Sequence, residues 1–493
     1  MDRREFIQNA SAAALVTSMP ASGQAPGATK PDPMVGIQVG AVSFVDEGVE
    51  QCLDIFQRDA AINTLFVATF TYGRGIAGRQ VPGQPLPDHG KQQYDTDTFH
   101  GGCFTKYDLK YFADTPLKSF RAPDFGDYDV LEAVLPSAKK RGMKTICWFE
   151  DVLRRDVPNV DQLQEKELSG KNAETTCFNN PNYHNWLLGM VDNWGRSYDI
   201  DGIMWGSERQ GAFADALQTF HDEPRSPMSV TCFCTYCRAK AKARGIDVDR
   251  AYKGFMELAK FVDNSRANRR PVDGYYVALW RLMLNYPELL AWEMLWTDSL
   301  RETYAAMHKK AKEVRPSLQI GWHIMHTDSW NPIYRAEQDL QAIAPSSDFL
   351  KMVLYNNCAG ERLAGYIDNV HSTMFGDVPK DELLEFHYKV LNYQEKGLAE
   401  IPFSGLSSDY VYRETKRAHD GLEGTKTLLL SGIDIDIPTA KGHSKCTPEG
   451  VRDAVLGAFK GGAGGVLLSR KYSEMKLGNL KGAGDAMQQL KKA

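Results

Sequence analysis

After the first thirty residues, no stretch approaches the ~18 consecutive apolar residues that a membrane-spanning helix needs. The body of the chain is therefore not expected to cross a bilayer. Neither sign of charge prevails: 58 Lys and Arg against 63 Asp and Glu leave a formal charge of -5. That balance excludes a general polyanion binder, so nucleic acid is not an expected partner. Internal repeats and low-complexity linkers are missing, and no second domain is read beyond the main one. No G-x-G-x-x-G follows the first apolar run, which removes the usual mark of a dinucleotide-binding open sheet. What remains is an ordinary globular composition, 43% hydrophobic and 25% charged, able to bury a sizeable core.

The N-terminus carries a signal of its own. Arg3-Arg4-Glu5-Phe6-Ile7 precedes an Ala-rich run from Ala10 to Val16 and a small-residue stretch ending near Ala25 or Ala28. This layout predicts a twin-arginine export signal over residues 1–30, set aside from fold reasoning. The expected mature protein covers 31–493, is periplasmic or secreted, and has no membrane attachment after cleavage.

Eight short apolar runs follow in order: "GIQVGAV" (36–42), "TLFVATF" (64–70), "KTICWF" (144–149), "DGIMW" (201–205), "LQIGWHI" (318–324), "FLKMVLY" (349–355), "TLLLSGI" (427–433) and "GGVLLS" (464–469). Runs this apolar suit parallel strands covered on both faces. Helical patterns separate them, among them 129–142, 292–314 and 447–462. The middle one repeats Trp292, Trp296, Leu300, Tyr304, Met307 and Ala311 at helical spacing, which reads as core packing. Eight such alternations predict a (β/α)8 TIM barrel. Two excursions are long, 71–127 after the second strand and 206–291 after the fourth. Both are expected to build the functional face.

In a barrel, the C-terminal strand ends converge on one place. Those ends offer Glu150 from the third strand, Glu208 and Arg209 from the fourth, and His323 and His326 from the fifth. Tyr355 follows the sixth, Asp434 and Asp436 the seventh, and Arg470, Tyr472 and Glu474 the eighth. With Trp148, Trp205 and Trp322 nearby, acids at several ends suggest a saccharide site. Aromatic faces suit sugar stacking, and paired carboxylates suit glycosidic chemistry. Nine cysteines cannot all pair within one chain. Three crowd into "TCFCTYC" as Cys232, Cys234 and Cys237, and Cys177 lies earlier in "TTCFNNPNY". Four thiolates can close a tetrahedral structural zinc site. A Cys234–Cys237 disulfide and free buried thiols are the alternatives, and the spacing leaves all three open.

A cysteine before Asn-Pro, a helix, a strand ending in Glu, then "CFCTYC" and a basic helix together resemble the family-42 glycoside hydrolases. These are retaining β-galactosidases with a (β/α)8 catalytic barrel. The likeness covers roughly 140–245. It implies zinc on Cys177, Cys232, Cys234 and Cys237, and an acid/base role for Glu208. Ser207 stands where that family has Asn, and Asp434 or Asp436 where it has a nucleophilic Glu.

The expected activity is hydrolysis of an oligo- or polysaccharide, with Glu208 protonating the leaving oxygen and Asp434 as the opposing carboxylate. Enclosure of Glu208 should raise its proton affinity. Trp205, Arg209, His100, Glu150, His323, Tyr355, Asp436, Arg470 and Tyr472 are the expected sugar contacts. Gly206 and Gly211 are expected to let the chain turn sharply around "SERQ". No catalytic cofactor is expected. The alternatives are a metal-dependent sugar isomerase or epimerase using Glu150, Glu208, His323 and Asp434, and a non-catalytic saccharide-binding barrel.

Overall fold

The eight apolar runs fold as eight strands: β1 (Met34–Gly40), β2 (Thr64–Ala68), β3 (Lys144–Glu150), β4 (Gly202–Gly206), β5 (Gln319–Ile324), β6 (Phe349–Val353), β7 (Leu428–Asp434) and β8 (Gly465–Ser469). Each pairs in parallel with its sequence neighbours, and β8 pairs with β1 to close the barrel. The expected (β/α)8 architecture is the observed one. It comes from a computed structural model that describes residues 32–71, 79–80, 82–96, 101–150 and 156–492. The proposed export segment and His100 lie outside those residues. Among the described residues, no helix is long and apolar enough to cross a membrane.

Successive side chains alternate between two cores, as strand geometry requires. Phe66, Ala68, Ile146, Trp148, Met204, Phe349, Leu430 and Leu467 meet inside the barrel. Val67, Cys147, Phe149, Ile203, Trp205, Ile320 and Trp322 point outward into the helix layer. The helices begin where capping residues stand. Asp129 accepts hydrogen bonds from the Leu131 and Glu132 amides ahead of Val130–Lys140, and Thr447 accepts from Gly450 ahead of Pro448–Lys460. The aromatic stripe lies on the long helix Glu288–Val314 and is buried, as core packing predicts.

The excursions divide the work unevenly. After β2, Tyr107 stacks on Phe120, Phe112 meets both edge-on, and Phe120 packs against Trp186 of the helix Pro181–Ser197. These three rings of the loop therefore serve the outer layer. The excursion after β4 carries four helices, Ala212–Ala216, Thr235–Ala243, Val248–Arg266 and Tyr275–Asn285. An antiparallel hairpin after β3, Gln164–Lys166 with Asn172–Thr176, was not expected.

Candidate active site

A cavity of about 640 Å³ opens at the C-terminal mouth of the barrel. Its walls come from the strand ends and from the loops after β3 and β4. None of the described residues of 71–127 lines it, so the described part of that excursion does not enclose the site as expected.

Glu208 stands two residues past the end of β4, lines the cavity and is 49% exposed. Its Oε1 lies 2.9 Å from Nε2 of His323. Gly206 pairs in register with His323, and a Cβ on Gly206 would come within 2.7 Å of the His323 Cβ. Gly211 has φ -71, and an added Cβ there would run into the Glu293 carboxylate. Neither glycine adopts the left-handed conformation of a sharp turn. Both are required by the close approach of another side chain, which corrects the expected role. Glu293 uses the space to accept hydrogen bonds from the amides of Phe213 (2.7 Å) and Ala214 (3.2 Å). It thereby fastens the loop from behind.

The expected rise in the proton affinity of Glu208 is overturned. Burial pushes it up, but the His323 hydrogen bond and the charges of His323, Arg362 and Lys351 outweigh it and hold the carboxyl at about 2. Burial and the Lys351 charge push His323 down. Nε2 of His323 thus donates to an ionised carboxylate.

Beneath them lies Lys351, fully buried on β6. Its Nζ donates to Gln38 Oε1 (3.0 Å) and to the Tyr355 hydroxyl (2.7 Å). Burial pushes it down to about 7 against the pull of Glu208 and Glu150. Asp215, in the helix Ala212–Ala216, also lines the cavity. Burial pushes it up to about 6, with Arg225 opposing and Glu165 reinforcing the shift.

Of the expected contacts, Glu150, Glu208, Arg209, His323, Tyr355 and Arg470 come together around this cavity. Arg209 is fixed by Glu165 at 2.9 Å and lies 4.3 Å over the Phe178 ring. Arg470 pairs with Glu474 at 2.8 Å. Trp148 lines the cavity too.

Four expected residues are elsewhere. The Asp434 carboxylate accepts from the amides of Cys358 (2.9 Å) and Ile437 (3.2 Å) and does not line the cavity. Asp436 accepts from the Lys476 amide and the Asn479 side chain, both at 2.8 Å. Trp205 sits on the outward phase of β4 and packs on Tyr304 and Trp322. Tyr472 stacks on His89 and meets Phe56 edge-on. With Asp434 turned away, the metal set proposed for an isomerase is not assembled. Sequence reasoning missed Gln38, Asp215, His221, Lys351 and Arg362. Only Lys351 carried a signal, a lone charge inside "FLKMVLY".

Apart from this cavity, Cys177, Cys232, Cys234 and Cys237 bring their sulfurs within 4.8 Å of one another, all buried. Cys177 Sγ lies 3.5 Å from those of Cys234 and Cys237. A tetrahedral zinc with Zn–S of ~2.3 Å separates its sulfurs by ~3.8 Å. A disulfide needs ~2.0 Å. Hydrogen bonds from the other three thiols push Cys234 far down, toward thiolate. The donor set thus fits a soft, tetrahedral ion. Among the described residues it is the one such group of three or more ligating side chains.

No model of a known protein family matches the sequence, and no curated protein matches it. Solved structures do. The PgaB (BpsB) glycoside hydrolase domain of Bordetella bronchiseptica aligns at 11% identity and TM-score 0.46, over 93% of this chain and 97% of its own. A β-galactosidase of Bacillus circulans sp. alkalophilus gives 14% and 0.48, over 93% and 56%. A β-galactosidase of the haloarchaeon Halorubrum lacusprofundi gives 13% and 0.51, over 93% and 58%. The chain spans little more than half the length of either galactosidase. At these identities the likeness is one of fold: the chain has the (β/α)8 barrel architecture shared with the Halorubrum enzyme.

Proposed function

We propose that this chain hydrolyses glycosidic bonds, with Glu208 as the ionised carboxylate at the anomeric carbon and Asp215 as the proton donor to the leaving oxygen. One observation carries the reading: two carboxyl groups of opposite proton affinity line one cavity, about 2 for Glu208 and about 6 for Asp215. Split affinities of this kind divide the acid from the nucleophile in glycoside hydrolysis. His323 orients Oε1 of Glu208 and leaves Oε2 for attack. As the Glu208–carbon bond forms, the bond to the leaving oxygen breaks, and that oxygen takes the Asp215 proton. Asp215, now a base, removes a proton from water as the water displaces Glu208, which regenerates both groups. Glu150, Tyr355 and Trp148 supply polar and flat surfaces for the sugar ring.

The four thiols support a structural zinc held by Cys177, Cys232, Cys234 and Cys237, an ion that would contribute folding free energy and no reaction step. The Arg3-Arg4 motif supports twin-arginine export to the periplasm or beyond. Undiminished periplasmic recovery after changing both to Lys would remove that part of the reading.

The test of the catalytic assignment is Glu208→Gly with and without azide, on aryl glycosides. The expected result is a loss on the order of 10⁴-fold, partly restored by azide, yielding a glycosyl azide of inverted configuration. An azide product of retained configuration would make Glu208 the acid/base instead. Near-wild-type turnover of Glu208→Gln would sink the reading.

A further inference from the structure

The cavity holds a guanidinium that forms no ion pair among the described residues. Arg362 projects from the helix Asn356–Thr373 into the cavity beside Glu208. Its Nη1 donates to Nδ1 of His326 at 3.0 Å. His326 is 2% exposed, and its Nε2 meets the Tyr410 hydroxyl at 3.1 Å. Burial and the Arg362 charge hold His326 well below its ordinary proton affinity, so it is a neutral acceptor toward Arg362. The imidazole therefore aims the guanidinium without cancelling its charge. Other enclosed arginines are treated differently: Arg209 has Glu165 at 2.9 Å, Arg470 has Glu474 at 2.8 Å, and Arg335 has Glu414 at 2.9 Å. Among the described residues, no carboxylate lies within ion-pair distance of Arg362. Glu208 is within electrostatic reach but accepts its hydrogen bond from His323.

An enclosed cation without a counterion is costly, and a planar fork with several unused N–H donors suits a bidentate anion. Arg470, within electrostatic reach of Arg362, lines the same cavity. The loops after β3 and β4 bring carboxylates and cations together, Glu167, Glu174, Asp215 and Asp222 with Arg209 and Arg225.

We propose that Arg362, flanked by Arg470, binds an exocyclic anion on the sugar whose anomeric carbon faces Glu208, so that the substrate carries an acidic unit there, a uronate or a sulfated sugar. This inference rests on the glycosidase reading and deepens it.

The test compares aryl glycosides matched in ring configuration and differing only at C6: hydroxymethyl, carboxylate and 6-sulfate. The protein should prefer an anionic form in kcat/KM. Arg362→Gln should shrink that preference by roughly 10–100-fold, the worth of a charged hydrogen-bonded pair. Arg362→Lys should recover part of it, which also guards against misfolding as the cause. Whichever anion is preferred identifies carboxylate or sulfate as the source. Equal or better cleavage of the neutral glycosides overturns the proposal. So does an equal loss on neutral and anionic forms in Arg362→Gln, which would leave Arg362 serving Glu208 alone. Calorimetric titration of Glu208→Gln with glucuronate against glucose, and galacturonate against galactose, separates the two readings. Uronate binding that Arg362→Gln abolishes, with no glycoside ever cleaved, would sink the hydrolase and keep the anion site. Absence of both binding and cleavage would sink both.

Discussion

Glu208 and Asp215 share a loop, yet their surroundings pull them apart. Asp215 meets the cavity edge with Arg225 and Glu165 nearby, and burial dominates. Its proton affinity rises from 3.8 to about 6, so its charged form is disfavoured in the fold. That penalty is absent below pH 3.8 and complete above about pH 6. Asp215→Asn should therefore raise the melting temperature at pH 7.5 and leave it unchanged at pH 3.5, as read by calorimetry. The same substitution should lower kcat/KM by ~10²–10⁴-fold on substrates with poor leaving groups. In the unaltered protein, activity should decline as pH climbs through about 6, because the donor has lost its proton. A melting difference independent of pH, or activity rising to pH 8, would refute the assignment. Glu208 has the opposite sign: its affinity drops from 4.5 to about 2. Its contribution to stability is present above pH 4.5 and lost as pH falls toward 2, and its 49% exposure screens part of that contribution.

At the scale of elements, the pairing of β4 with β5 sets the geometry of the site. Gly206 faces His323, and a methyl group there would press on the His323 Cβ, which has no flexible end to move aside. Gly206→Ala should displace the imidazole from Glu208. The expected result is a kcat loss of about 10–100-fold with a smaller change in KM, and an acid limb moved up toward ordinary carboxylate values. An unchanged pH profile would show that His323 does not govern Glu208. The eight strands were legible because each is an apolar run between helical patterns. Their phase was not. A strand buried on both faces has no polar alternation to mark which side is which. Met204 and Trp205 are equally apolar, and only the fold shows that Trp205 points outward. Asp434 ends β7 as a catalytic acid would, but two local amides claim its carboxylate. Asp215 and Arg362 lie on helices beyond the strand ends, where chain order gives no hint that they turn back into the cavity.

In the whole molecule, one helix connects two distant features. Glu288–Val314 presents Glu293 to the loop that bears Glu208 and Asp215. Two turns on, Ser299 and Glu302 bind Lys240 Nζ at 2.9 and 2.6 Å. Lys240 also binds Asn179 at 2.8 Å, and Asn179 donates to Cys237 Sγ at 3.3 Å. Elemental analysis should find one zinc per chain, and Cys234→Ser should lower its content and the melting temperature together. A zinc-free protein carrying a Cys234–Cys237 disulfide would contradict this.

Phe178 follows Cys177 in the chain and supports Arg209, the neighbour of Glu208. Loosening of the four-thiol cluster would therefore reach the reacting carboxylate within a few bonds. An ordinary chelator assay would then misfile the protein as a metallohydrolase, although no ion would touch its substrate. The time course would expose the error: inactivation would lag behind chelation and keep pace with loss of near-ultraviolet circular dichroism. A true metal-dependent site would fall silent at once, with its fold intact.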